Sequence, residues 1–313
     1  MLPAASCAHR WGREPRVDPW CHRPVGMKPK YAVNMSQKYP AVRGAVEANG
    51  IRFSTLEWGE GPLVLCFHGF PDTAETWDVV GPGIAAAGYR VVAPFMRGYA
   101  PTAIPAADTD SRTLGNDVLA LIAALGGHPA RVIGHDWGAE AVYAAAGLDP
   151  TAIERLVAIA IPHRVGVRPT PSILWALRHF LSLTLPGAEA RFAANNYYAI
   201  EMFWRRWSPT WQYSEADLSV ARAAFAQPGV VHAALGYYRQ ARVLAPAFLR
   251  AKITVPTLCI AGGDDPGVAP GVFVACGSQF GGPYAVTTVA GGHFCHRESP
   301  QAVIDAIVPF LRG

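Results

Sequence analysis

Ala130-Arg131-Val132-Ile133-Gly134-His135-Asp136-Trp137-Gly138-Ala139 is the stretch on which the fold turns. It begins as a short apolar run of strand character. It then passes through Gly-x-Asp-x-Gly into an Ala-rich segment, 137–146, closed by Gly147 and Pro150. A sharp turn between a buried strand and a helix lifts one side chain above a sheet, the setting of the nucleophile elbow G-x-S-x-G, here with Asp in place of Ser. Asp at a helix start also serves as an ordinary N-cap. A plain cap has no need of a glycine on each side, whereas an elbow crowds the backbone on both sides; Asp136 is therefore read as a nucleophile.

Working outward, Val42–Ala48 and Ile51–Trp58 read as strands around an Asn49-Gly50 hairpin turn. Leu63–Phe67 is continuously apolar, as a strand buried on both faces should be, and ends in His68-Gly69-Phe70-Pro71. Residues 89–93, 156–161 and 257–261 repeat that character, with helix-compatible segments such as 111–125 between them. This alternation predicts an α/β fold, a mostly parallel sheet with helices on both faces. It stops after Ile161: from 162 to about 249 the pattern is helical and aromatic-rich, and the strand rhythm resumes at Ile253. The expected organisation is a core built from 41–162 and 250–313, with a helical cap inserted over 163–249.

A carboxylate nucleophile leaves an ester that water must cut, and that water needs a base. A His with an orienting acid serves, in the chain order nucleophile, acid, His. The turn after the strand at 255–262 holds Gly263-Asp264-Asp265-Pro266, and Gly291-Gly292-His293-Phe294 precedes a final helix introduced by Glu298, Ser299 and Pro300. Asp265, next to Pro266, is the expected acid, with Asp264 as the alternative, and His293 is the expected base. A lone His or a turn Asp is usually structural; the conjunction with the elbow gives both their weight.

Composition agrees with a large folded enzyme. The 313 residues are 51% hydrophobic and only 16% charged, enough for a sizeable core, and no run of 18 apolar residues is free of charge, Gly or Pro. The net charge of +4 is unevenly spread. Residues 1–43 carry eight basic and two acidic side chains, so the remainder is −2 and offers no basic patch for nucleic acid. Residues 1–40 lack apolar periodicity and read as a disordered extension, with Met35 as an alternative beginning; their prolines argue against a transit-peptide helix. Cys7, His9, Cys21 and His22 fit no zinc spacing, and the six cysteines form no CxxC. Free thiols in the cytoplasm are expected. No G-x-G-x-x-G follows a strand, so no nucleotide, metal or other cofactor is expected.

Taken together, His68-Gly69-Phe70-Pro71, Gly134-His135-Asp136-Trp137-Gly138, Gly262-Gly263-Asp264-Asp265-Pro266 and Gly291-Gly292-His293-Phe294 resemble the Asp-nucleophile branch of the α/β-hydrolase superfamily, the epoxide hydrolases and haloalkane dehalogenases. The likeness spans about 41–313 and implies an eight-stranded, mostly parallel sheet with an inserted cap. It also implies an oxyanion hole from the backbone N–H groups of Phe70 and Trp137, a cis bond before Pro71, and an alkyl-enzyme ester on Asp136. Gly236-Tyr237-Tyr238-Arg239 resembles the second lid motif of epoxide hydrolases, which makes Tyr238 a ring-oxygen donor. Alignment on Leu185-Pro186-Gly187 puts His179 where these enzymes carry their first lid tyrosine, and Tyr198 is the substitute. An imidazolium at 179 would be a competent acid near neutral pH. Phe70 replaces the Asn usual in dehalogenases, and Phe95-Met96-Arg97-Gly98-Tyr99 lacks the Asp with which many relatives begin that motif.

The expected activity is hydrolysis of small hydrophobic epoxides to vicinal diols, with Trp175 and Tyr198 in the pocket wall. The alternatives are a haloalkane dehalogenase, with halide held by Trp137 and a cap Trp such as Trp175, and a non-catalytic ligand-binding module of the same fold. A monomer or homodimer is expected.

Overall fold

The computed structural model describes residues 38–241 and 244–313. Asn49 and Gly50 both have positive φ, 42° and 77°, as a two-residue hairpin turn demands, and they join β1 (Val42–Ala48) to β2 (Ile51–Trp58) in antiparallel register. Arg97 braces this turn, donating to the Asn49 carbonyl at 2.9 Å and to buried Asp117 through Nε at 2.8 Å. The departure from the relatives' motif lies two residues earlier, at Phe95, which is buried in the core on the Val64 and Cys66 face of the sheet.

Six further strands follow: β3 (Leu63–Phe67), β4 (Arg90–Pro94), β5 (Ala130–His135), β6 (Ile153–Ile159), β7 (Thr257–Gly262) and β8 (Tyr284–Val289). They form one sheet in the order β1-β2-β4-β3-β5-β6-β7-β8, in which β2 runs antiparallel to its neighbours and every pair from β4 to β8 is parallel. In β3 the period of two sends Val64 and Cys66 to one face and Leu65 and Phe67 to the other. Helices α1 (Gly81–Ala86), α2 (Ser111–Ala124) and α3 (Trp137–Leu148) alternate with the strands. Ala139, Ala141, Ala144, Ala145 and Ala146 let α3 lie close against the sheet.

Between β6 and β7 the described residues contain no strand. They form α4 (Pro171–Ala176), α5 (Arg178–Thr184), α6 (Ala188–Trp207), α7 (Glu215–Phe225), α8 (Val230–Arg239) and α9 (Ala247–Arg250). Thr170 caps α4 by accepting from the Ile173 N–H, and Ser214 with Asp217 makes a capping box on α7. Within α6, Asn195, Asn196 and Tyr197 are all left-handed, a conformation Asn tolerates and Tyr rarely adopts. Beyond this break, Ile200, Phe203, Trp204 and Trp207 recur at helical spacing and are buried. The chain closes with α10 (Pro270–Ala275), α11 (Cys295–Glu298) and α12 (Pro300–Arg312), whose Val303, Ile307 and Leu311 cover the face of the sheet opposite α2 and α3.

Among the described residues, no helix is long and apolar enough to cross a membrane. Residues 1–37 lie outside the described residues, and with them most of the expected extension and its Cys7, His9, Cys21 and His22.

Candidate active site

Asp136 sits at φ 51° and ψ −117°, a sparsely populated region for a residue with a side chain, at the step from β5 into α3. Its neighbours must be glycine: a Cβ on Gly138 would strike the Phe67 and His68 carbonyls, and one on Gly134 would strike the Gly138 backbone. The turn presents the carboxylate to the end of β3, where the Phe70 N–H donates to Asp136 Oδ1 at 2.8 Å and the Phe70–Pro71 bond is cis. Trp137, the first residue of α3, has an N–H for which the helix supplies no carbonyl.

His293 approaches from the loop after β8, its Nε2 3.3 Å from Asp136 Oδ2 and its Nδ1 3.4 Å from Asp265 Oδ2. The Nε2 contact is close without being aligned as a hydrogen bond. Asp265 Oδ1 accepts from the N–H groups of Gly267 and Val268, at 2.7 and 3.2 Å, which holds the other oxygen toward the imidazole. Asp264 turns away to accept from the Gly291 N–H at 3.0 Å and straps the two loops together. Of the two candidate acids, only Asp265 reaches His293. Burial works to depress the His293 pKa, yet the two carboxylates overcome it and hold the ring up at about 9. Burial likewise works to raise Asp136, but His293, His135 and the Phe70 N–H keep its carboxyl below the ordinary range. The resting pair is carboxylate and imidazolium.

The side chains behind these groups did not stand out in the sequence. His135 Nε2 donates to the His293 carbonyl at 2.9 Å, and the His293 N–H donates to the Trp207 carbonyl at 2.9 Å. His68 accepts from the Met96 N–H through Nε2, which leaves the proton on Nδ1, 3.0 Å from the Gly69 carbonyl. Trp204 Nε1 donates to the Pro71 carbonyl at 3.1 Å. The positions of His68 and His135 beside the two motifs were the available signal; Trp204 and Trp207 were two rings among many.

These buried histidines make the fold acid-sensitive. Burial lowers His68 and His163 to about 4 and His135 to about 3. Depressed folded values mean that their neutral state adds stability above the unfolded value near 6.5, and that this contribution is lost as the pH falls toward 4. Each such group costs about 1.4 kcal/mol per pH unit once the unfolded chain alone is protonated. Thermal melts should therefore drop steeply between pH 6.5 and 4.5; a melting temperature flat across that interval would refute the neutral assignment.

Asp136, His293 and Asp265 line a cavity of about 390 Å³, walled by apolar groups such as Ile161, Val167, Ile173 and Phe180. Tyr238 on α8 is 3% exposed and lines the same cavity, its ring edge-on to Trp137 and Phe70 at 5.2 and 5.1 Å. Burial, then the charge of Asp136, push its phenol well above the ordinary range, so it keeps its proton. His179 on α5 also lines the cavity, but its protonation differs from the expected imidazolium. Burial lowers it to about 4, and Nδ1 lies 2.8 Å from the Ala176 carbonyl. Trp175 sits at the cavity rim, 66% exposed, with the Arg178 guanidinium 3.7 Å over its ring. The placement of Tyr198 in the pocket wall is corrected. It is 49% exposed and outside the cavity, because two residues before Ile200 is about 200° around the helix from the inward stripe. Glu140 joins the wall from α3, paired with Arg164 at 3.1 Å. Among the described residues, no three His, Cys, Asp or Glu side chains are grouped to hold a metal ion.

The pattern of the alpha/beta hydrolase fold family matches residues 62–300. The chain belongs to the α/β-hydrolase fold family. This α/β hydrolase is 29% identical over 277 residues to the AB hydrolase superfamily protein YfhM of Bacillus subtilis, with 86% of this chain and 97% of that protein covered. It is also 29% identical over 312 residues to epoxide hydrolase A of Mycobacterium tuberculosis, covering 86% and 96%. Among solved structures, epoxide hydrolase A of Mycobacterium thermoresistibile superposes on this hydrolase with a TM-score of 0.74 at 27% identity, covering 87% of this chain and 98% of that one. An epoxide hydrolase from Vigna radiata superposes with 0.71 at 28% identity, covering 87% and 98%.

Proposed function

We propose that this hydrolase opens epoxides to vicinal diols, with the helices of 163–249 acting as a cap over a core of 41–162 and 250–313. The observation that carries the reading is that Tyr238 and Asp136 line one apolar cavity; burial raises the Tyr238 phenol and the neighbouring histidines lower the Asp136 carboxyl, which suits them as acid and nucleophile for the two ends of a C–O bond. Relatives bearing the name epoxide hydrolase at 29% identity support it.

In this mechanism Asp136 attacks a ring carbon, the C–O bond breaks, and the departing oxygen takes the Tyr238 proton. The ester has no charge, so one of the two carboxylates that hold the His293 pKa up is gone while Asp265 remains; His293 gives its proton to the more basic tyrosinate and becomes a neutral base. It then removes a proton from water, whose oxygen adds to the Asp136 carboxyl carbon. The oxyanion rests on the N–H groups of Phe70 and Trp137. Collapse expels the diol oxygen, which takes the proton from His293, and the new carboxyl of Asp136 reprotonates the imidazole. Atoms balance as epoxide plus water giving diol.

The test is turnover of styrene oxide and of 1-bromobutane by the full chain, read as diol and as bromide. Diol is expected with little bromide; bromide without diol would make the protein a dehalogenase. Tyr238→Phe should lower kcat on styrene oxide by about 10²–10⁴-fold, the range for losing a general acid. A variant within threefold of the parent would remove Tyr238 from the mechanism.

A further inference from the structure

His179 holds its single proton on the nitrogen that faces the Ala176 backbone. Its Nδ1 lies 2.8 Å from the Ala176 carbonyl, and a carbonyl only accepts, so Nδ1 carries the hydrogen. The ring bears one proton at neutral pH. Burial and the charges of Arg206 and His293 lower its pKa to about 4, against the opposing pull of the Ala176 carbonyl and Asp136. The other nitrogen, Nε2, is then a bare lone pair. His179 lines the cavity edge-on to Tyr238, with ring centres 5.7 Å apart, and Phe180, Phe203 and Trp207 surround it. Among the described residues, no donor bonds to Nε2. An acceptor set in an aromatic wall is costly unless whatever fills the cavity brings a donor to it.

We propose that His179 Nε2 is an acceptor for substrate, and that the substrate is an epoxide with a hydroxyl on the carbon next to the ring. The proposal rests on the epoxide reading above. Tyr238 donates to the ring oxygen and is its sole side-chain acid. The neighbouring hydroxyl donates to His179, which orients the ring over Asp136. An epoxide with a methyl group in that place leaves the lone pair unpaired.

The matched pair trans-3-phenylglycidol and trans-β-methylstyrene oxide differs only in that hydroxyl. The full-length enzyme should favour the alcohol in kcat/KM by about tenfold, the worth of one hydrogen bond to an acceptor at the cavity wall. His179→Phe keeps an aromatic ring without the lone pair and should bring the ratio to about one, and His179→Gln, which restores an acceptor oxygen, should recover part of it. A parent enzyme without preference overturns the proposal. So does a His179→Phe variant in which both rates collapse together with the ratio kept, since that is the behaviour of a proton donor. In ¹⁵N spectra at pH 7, Nε2 of His179 should resonate as an unprotonated nitrogen and Nδ1 as a protonated one; the reverse overturns the assignment. The unreactive pair cinnamyl alcohol and trans-β-methylstyrene separates this proposal from the reaction itself. Tighter binding of the alcohol in the parent, lost in His179→Phe, upholds the acceptor even if no diol forms, and equal binding in the parent overturns it even if diol does form.

Discussion

Asp136→Ala should abolish diol formation, with a fall in kcat of at least about 10⁴-fold, because no second group can form the ester. The cavity offers no substitute nucleophile in position: Asp265 is turned to His293 and held by two backbone N–H groups, and Glu140 is engaged by Arg164. The fold should survive, since Ala keeps the Cβ that the turn already accommodates, adds no bulk, and leaves the flanking glycines untouched. Circular dichroism and the melting temperature check that, so a dead and folded variant speaks to chemistry alone. Retention of more than about one hundredth of the parent rate would move the nucleophile elsewhere.

His293→Gln should separate the two halves of the reaction. Ring opening uses Asp136 and Tyr238 and should continue, whereas water loses its base and steady turnover should fall by about 10³–10⁴-fold. Intact-protein mass spectrometry should then show an adduct of one epoxide per chain that persists for minutes, with digestion placing it on the peptide holding Asp136. The parent enzyme should show no lasting adduct. A variant that neither accumulates the ester nor slows would mean that the 3.3 Å approach of His293 to Asp136 has no part in hydrolysis.

The parts of the fold that were legible are those whose signal is local. The Asn49-Gly50 turn and the apolar run Leu63–Phe67 state their own geometry, and β1, β2 and β3 begin and end where the pattern puts them. The strand β8 gave no apolar run, because it lies at the sheet edge and Tyr284, Val286 and Thr287 are only half-buried. The elbow was legible because steric crowding around Asp136 writes itself as two glycines. The protonation of His179 was not, since it depends on the Ala176 carbonyl and on how deeply neighbouring side chains bury the ring, neither of which leaves a trace in residue types. Tyr198 misled for a similar reason: its helical phase relative to Ile200 shows only once the inward stripe of α6 is known.

The bond from Trp204 to the Pro71 carbonyl joins a helix over the cavity to the short loop whose preceding peptide N–H touches the nucleophile. The seating of α6 and the polarisation of the carboxylate therefore share one short mechanical path, two hydrogen bonds and a single turn of chain long.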